Sequence, residues 1–216
     1  MRRQSVPQDR GMRLGIMTSG GDAPGLNAVI RGAVLTGERV GGHTFVGFRD
    51  GWRGVVDDDT MPLSRHDVKG INKLGGTILG TSRTNPYEHG GADRVREVLS
   101  RNEVDALIVV GGEGSLAGAK ELANDGIPII GVPKTIDNDL NGTDYTFGFD
   151  TAVGIATDAM DRLRTTGESH SRCMVAEVMG RHVGWIALHS GLAVGAHLIL
   201  IPERKTSMDE IVHYVQ

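Results

Sequence analysis

The chain carries a single cysteine, Cys173, which excludes any internal disulfide. The apolar residues around it predict a buried core thiol. No apolar run approaches the roughly 20 residues of a membrane-spanning helix, and the N-terminus lacks the apolar stretch of a secretory signal. A soluble, cytoplasmic protein with no membrane partner is expected. Positive charge is not in excess: the net charge of −4 argues against a nucleic-acid or polyanion binder, while leaving room for local basic pockets.

What is abundant is glycine. The 32 glycines amount to about twice the usual share, and they come as pairs inside apolar runs, not as a Gly/Ser linker. Paired glycines after a strand suit a backbone that turns sharply and lets a ligand approach closely. From Met12 onward, short apolar runs alternate with amphipathic stretches. Strands are predicted at 13–18, 44–48, 106–110, 128–131, 174–178 and 197–201. Helices are predicted at 26–39, 92–100, 116–124, 151–164, 185–192 and 208–215. Val153, Ala156, Met160 and Leu163 follow the 3-4-3 spacing of one buried helix face. Such alternation implies an α/β fold: mainly parallel sheets with helices on both faces, in a Rossmann-like arrangement. Ligands in such folds sit beyond the carboxyl ends of the strands. Residues 1–11 read as a disordered tail. The last predicted helix, which Thr206 or Ser207 could cap, meets no stop signal before Gln216, so the chain reads as cut short.

Four segments at strand ends carry chemistry. Thr18–Gly25 (TSGGDAPG) joins the first strand to a helix, where successive N–H groups make an anion site. It is neither G-x-G-x-x-G nor a Walker A loop, and alone it also fits a tight turn that binds nothing. Gly111–Ser115 (GGEGS) repeats the geometry with Glu113 and Ser115 among the glycines. A carboxylate beside a phosphate site repels it unless a hard cation such as Mg²⁺ lies between, which makes Glu113 a candidate metal ligand. A solvated acid in a turn is the plain alternative, and similar turns occur in NAD kinases and lipid kinases.

Pro133–Leu140 (PKTIDNDL) is the third. If extended, it would point Thr135, Asp137 and Asp139 the same way. One carboxylate could then accept a hydroxyl proton while the other helps hold Mg²⁺. The competing reading is an acidic turn rich in Asx hydrogen bonds. The fourth, Glu177–Gly184 (EVMGRHVG), offers the N–H of Gly180 and the guanidinium of Arg181 to a phosphate monoester. Arg172 begins the same expected strand.

In order, spacing and wording these segments resemble the phosphofructokinase family, from Met12 to the last residues; TIDND and MGRH are the specific parts. The resemblance implies phosphoryl transfer to the 1-hydroxyl of fructose 6-phosphate with Mg²⁺ as cofactor. By it, Asp137 is the general base, with Arg83 and Thr135 also catalytic. Gly21, Arg83, Thr84, Glu113, Gly114, Ser115 and Gly118 form the ATP site, and Glu113 and Asp139 are the metal ligands. The sugar phosphate is met by Thr135, Asp137, Asp139, Met179, Gly180 and Arg181, and by Arg172 from a neighbouring subunit, hence a homo-oligomer, expected to be a tetramer. Thr84 replaces an aromatic frequent in the family, and Trp52 is the candidate surface for adenine instead. At the family's effector positions Arg31, Arg65 and Arg164 are kept, while Leu35 and His197 replace charged ligands. The expected domains are a nucleotide-binding domain over 12–148, lacking its C-terminal completion, and the start of a fructose 6-phosphate domain over 149–216.

Two positions bear on the phosphoryl donor. Gly114 leaves room for a nucleotide where pyrophosphate users tend to carry Asp, whereas Lys134 is the residue those enzymes tend to have. Steric exclusion outweighs one added charge, so ATP is the expected donor and pyrophosphate the alternative. Further rivals are a catalytically silent fragment or binding module, and an NAD or lipid kinase.

Overall fold

The computed structural model describes residues 11–215, so the expected tail lies, but for Gly11, outside the described residues. The described residues form two compact units, divided between Pro133 and Lys134. The expected domain boundary at 148/149 falls inside the second, at the start of a helix.

In the first unit, β1 (Arg13–Ser19) and β4 (Ala106–Gly111) are buried almost throughout. Their apolar stretches, 14–17 and 106–110, are those of central parallel strands covered on both sides. They pair with each other. β1 also pairs in parallel with β2 (Thr44–Phe48), and β4 with β5 (Ile129–Thr135). The antiparallel β3 (Thr60–Leu63) closes the edge beyond β2, and its Pro62 sits where an edge tolerates a missing N–H.

Side-chain alternation sorts the core into two layers. Ile16, Ile108 and Val110 meet Leu26, Ile30 and Val34 of α1 (Leu26–Thr36) on one face. Met17, Leu107 and Val109 meet the opposite layer. That layer is made by α2 (Trp52–Asp57), α3 (Gly91–Arg101) and α4 (Glu113–Asn124) through Trp52, Val55, Val95, Val98, Ala119 and Leu122. Every such side chain buried contributes about 1.5–3 kcal/mol relative to exposure.

The second unit opens with the end of β5, where Lys134 and Thr135 pair in parallel with β6 (Phe147–Gly148). It continues through α5 (Phe149–His170), α6 (Trp185–Ala193) and α7 (Met208–Val215). Ser207 caps α7, its hydroxyl accepting from the Glu210 N–H at 3.2 Å.

Three expectations fail here. The segments 174–178 and 197–201 are not strands: a strand needs a ladder, and neither pairs with another among the described residues. Val175 accordingly stands 91% exposed. Cys173 lies in the same segment and is exposed, not a core thiol. On α5, Val153, Ala156 and Met160 are only half-buried and Leu163 is exposed, so the periodic stripe is no fully buried face.

Candidate functional site

The strand order β3-β2-β1-β4-β5 reverses direction between β1 and β4, and open α/β sheets bind ligands at such a switch point. Here Ser19 is the register partner of Gly111, so the two glycine turns leave the sheet side by side. The first turn enters α1 through Gly25, whose φ of 95° suits glycine. The second enters α4 directly: Glu113, Gly114 and Ser115 form the helix's first turn, three residues earlier than the sequence pattern predicts. Their amides are among the unsatisfied donors of a helix N-terminus. A methyl group added at Gly111 would strike the Ser115 side chain at 2.5 Å, whereas Gly21 and Gly114 have nothing within 4 Å of an added Cβ. The cradle is tight at its base and open at its lip.

A third segment, 77–84, closes on these turns by its backbone. The Gly20 N–H donates to the Ser82 carbonyl at 3.0 Å and Ser19 Oγ to the same oxygen at 3.2 Å. The Thr81 hydroxyl donates to the Gly20 carbonyl, and Thr18 Oγ1 to the Gly80 carbonyl at 2.8 Å. Ser82 Oγ reaches the Asp50 carbonyl at 2.5 Å and Thr84 Oγ1 at 3.2 Å. These bonds hold Arg83 beside the glycine turns with its side chain exposed, free to meet an anion. Sequence reasoning found Arg83 but not Ser82 or Asp50, because side chain-to-carbonyl clasps across 32 residues leave no periodic mark.

Gly118 is half-buried, its missing side chain facing the Pro86 ring and Trp52 Nε1, each 3.9 Å from an added Cβ. Trp52 corrects one expectation. At 1% exposure it belongs to the core beneath α4 and offers no open face for an adenine; as the first residue of α2, it is drawn in by Phe48, Val55 and Ala119. Of the effector-type positions, Leu35 and Arg65 line a depression of about 440 Å³ with Thr36 and Arg39.

The second unit gathers the acidic segment. Asp137 is part-buried, and its N–H donates to Thr135 Oγ1 at 3.1 Å. The segment is not extended as expected: Asn138 adopts φ 52°, so the chain turns between the two aspartates. The charges are nonetheless gathered. Burial foremost, and then the Asp139 carboxylate, push the Asp137 carboxyl above the ordinary range, while the Arg181 guanidinium opposes them. Lys134, opposite Phe147, is only 4% exposed.

Arg181 and Met179 are exposed in the loop before α6. The helix starts at Trp185 behind Gly184, where the sequence pattern predicts it, and Arg181 lies in the loop before it. Gly180 has φ 151°, and an added Cβ would lie 2.9 Å from the Val183 carbonyl, so only glycine fits there. Arg172 follows α5 directly, its N–H donating to the Gly167 carbonyl at 2.9 Å, and it begins no strand.

Among the described residues no group of three or more His, Cys, Asp or Glu side chains forms a metal cage. Mg²⁺ is commonly held by one or two carboxylates together with substrate phosphates. Exposed Glu113 in the first unit and Asp139 in the second fit as such single donors. No helix of the described residues is long and apolar enough to cross a membrane.

A family model described as "Phosphofructokinase" matches residues 13–216. The pyrophosphate–fructose 6-phosphate 1-phosphotransferase of Amycolatopsis methanolica is 62% identical over 206 residues, covering 95% of this chain and 60% of that protein. The ATP-dependent 6-phosphofructokinase of Corynebacterium efficiens is 58% identical over 202 residues, covering 93% and 58%. The crystal structure of Pichia pastoris phosphofructokinase in the T-state superposes with a TM-score of 0.83 at 36% identity, over 98% of this chain and 24% of that one. The chain thus spans about 60% of the length of the curated relatives it matches.

Proposed function

Since the chain belongs to the phosphofructokinase family, we propose that the protein carrying it transfers the γ-phosphoryl group of MgATP to the 1-hydroxyl of fructose 6-phosphate. The observation that carries this reading is Asp137, a carboxylate part-buried beside Asp139 and Arg181. A base raised toward the working pH transfers a proton more effectively than an ordinary carboxylate.

In this mechanism the Asp137 carboxylate accepts the proton of the sugar's 1-hydroxyl. The oxygen forms its bond to the γ-phosphorus as the bridging bond to ADP breaks, and ADP leaves with that electron pair. Arg181 and the N–H of Gly180 hold the sugar's 6-phosphate. The helical amides at Gly114 and Ser115 and the guanidinium of Arg83 face the donor's phosphates, where charge shifts during transfer. Glu113 and Asp139, each within its own unit, are the candidate ligands through which Mg²⁺ would neutralise charge on phosphates. The setting is the cytoplasm, and the active form is a homo-oligomer sharing Arg172 between subunits.

Gly114 supports ATP, since the space at its α-carbon is open. Pyrophosphate is the second reading, favoured by Lys134 and by the Amycolatopsis relative's name. Assaying parent and Gly114→Asp with both donors decides between them. The parent should use MgATP and have little activity with pyrophosphate. The variant, which meets no backbone obstacle, should lose ATP turnover with a raised KM, because bulk and charge obstruct the ground-state complex itself. A parent that prefers pyrophosphate would overturn the ATP reading.

A further inference from the structure

Asn138 separates the two aspartates of the acidic segment and uses both ends of its side chain. Oδ1 accepts from the Thr146 N–H at 2.9 Å, and Nδ2 donates to the Asp144 carbonyl at 3.1 Å. Thr146 Oγ1 in turn donates to the Thr135 carbonyl at 2.7 Å. The turn between β5 and β6 is thereby tied shut from both sides. Its backbone at Asn138 has φ 52°, a region that asparagine enters more readily than most side-chain-bearing residues. Across that reversal the Asp137 carboxyl faces the charges of both Asp139 and Arg181, so the turn sets the surroundings of Asp137.

We propose that Asn138 is a positioning residue: it touches no reactant, and through this turn it fixes where Asp137 points during proton transfer. The inference rests on the reading of Asp137 as the base. The side-chain chemistry is selective. Glycine would accept the backbone angle and lose both bonds. Aspartate would keep the acceptor for Thr146 and lose the donor to Asp144. Valine at 146 would cut only the hydroxyl tie to Thr135.

The test uses the full-length protein with fructose 6-phosphate and, in turn, MgATP and magnesium pyrophosphate. Asn138→Gly should lower kcat roughly tenfold to a hundredfold, the range for a misplaced reacting group, while KM for both substrates holds. The solvent deuterium isotope effect on kcat should grow, since proton transfer then limits the rate more strongly. Asn138→Asp should recover part of the rate, and Thr146→Val should show a smaller loss of the same kind. Parent-like kcat and isotope effect in Asn138→Gly would overturn the proposal. If that variant does not fold, Thr146→Val decides: an unchanged kcat, or a loss expressed in KM alone, overturns it. Asp137→Asn, measured alongside, keeps the two readings apart. An active Asp137→Asn sinks the base, whereas an inactive one beside parent-like Asn138 variants sinks only the positioning role.

Discussion

Asp137 is held in surroundings that favour its protonated form, and this has two measurable results. As the base, its replacement in Asp137→Ala should lower kcat by roughly two to four orders of magnitude with fructose 6-phosphate binding little changed. Near-parent turnover would remove it from the mechanism. As a destabilised anion it should also weaken the fold. Its folded-state pKa lies above the unfolded value, so its contribution to stability is best below the unfolded pKa and is lost as pH rises through the folded one. Asp137→Asn should therefore melt higher than the parent near pH 7, with the gap shrinking as the solution is acidified. Thermal unfolding of both proteins at pH 7 and in progressively more acidic buffer checks it. At this scale residue type singled out Asp137, Arg83 and Arg181, and the fold sets Arg181 where its charge acts on the Asp137 carboxyl. The sequence was silent where burial decides: the apolar neighbours of Cys173 suggested a core that their segment does not enter, and Trp52 went inward against expectation.

Elements were legible where one strand's own residues suffice. The apolar runs of β1, β2 and β4, and the patterns of α3, α6 and α7, stand in the sequence within a residue of where they stand in the fold. The segments 174–178 and 197–201 have equally apolar sequences, yet a strand is a property of a pair, and no partner for either lies among the described residues. The short β3 and β6 escaped notice for the opposite reason, being made by pairing more than by pattern. Leu107, fully buried on β4 between β1 and β5, gives the direct test of the central strand. Leu107→Ala should cost about 2–5 kcal/mol in denaturant unfolding, the range for deleting a buried leucine side chain. A loss below that range would mean the layer of α3 and α4 collapses readily onto the gap.

For the whole molecule, the residues proposed to face the donor lie in the first unit and those proposed to face the acceptor in the second. If Arg172 completes a neighbour's acceptor site, Arg172→Ala should weaken fructose 6-phosphate binding in the full-length oligomer and leave donor binding mostly intact. Sedimentation under assay conditions gives the complementary measurement, and an active monomer would contradict the shared site.

The pairing of Ser19 with Gly111 has a consequence for descent. Both glycine turns spring from one rung of a buried parallel ladder, and slipping that rung by one residue would turn each strand's core side chains to the wrong face. The spacing between the turns is therefore closed to gradual adjustment by lengthening or shortening the strands. What stays open to inheritance is the side chain at the lip, above all at Gly114, where an added group meets nothing. If Gly114 governs the donor as proposed, substitution there would alter that preference within an unaltered skeleton.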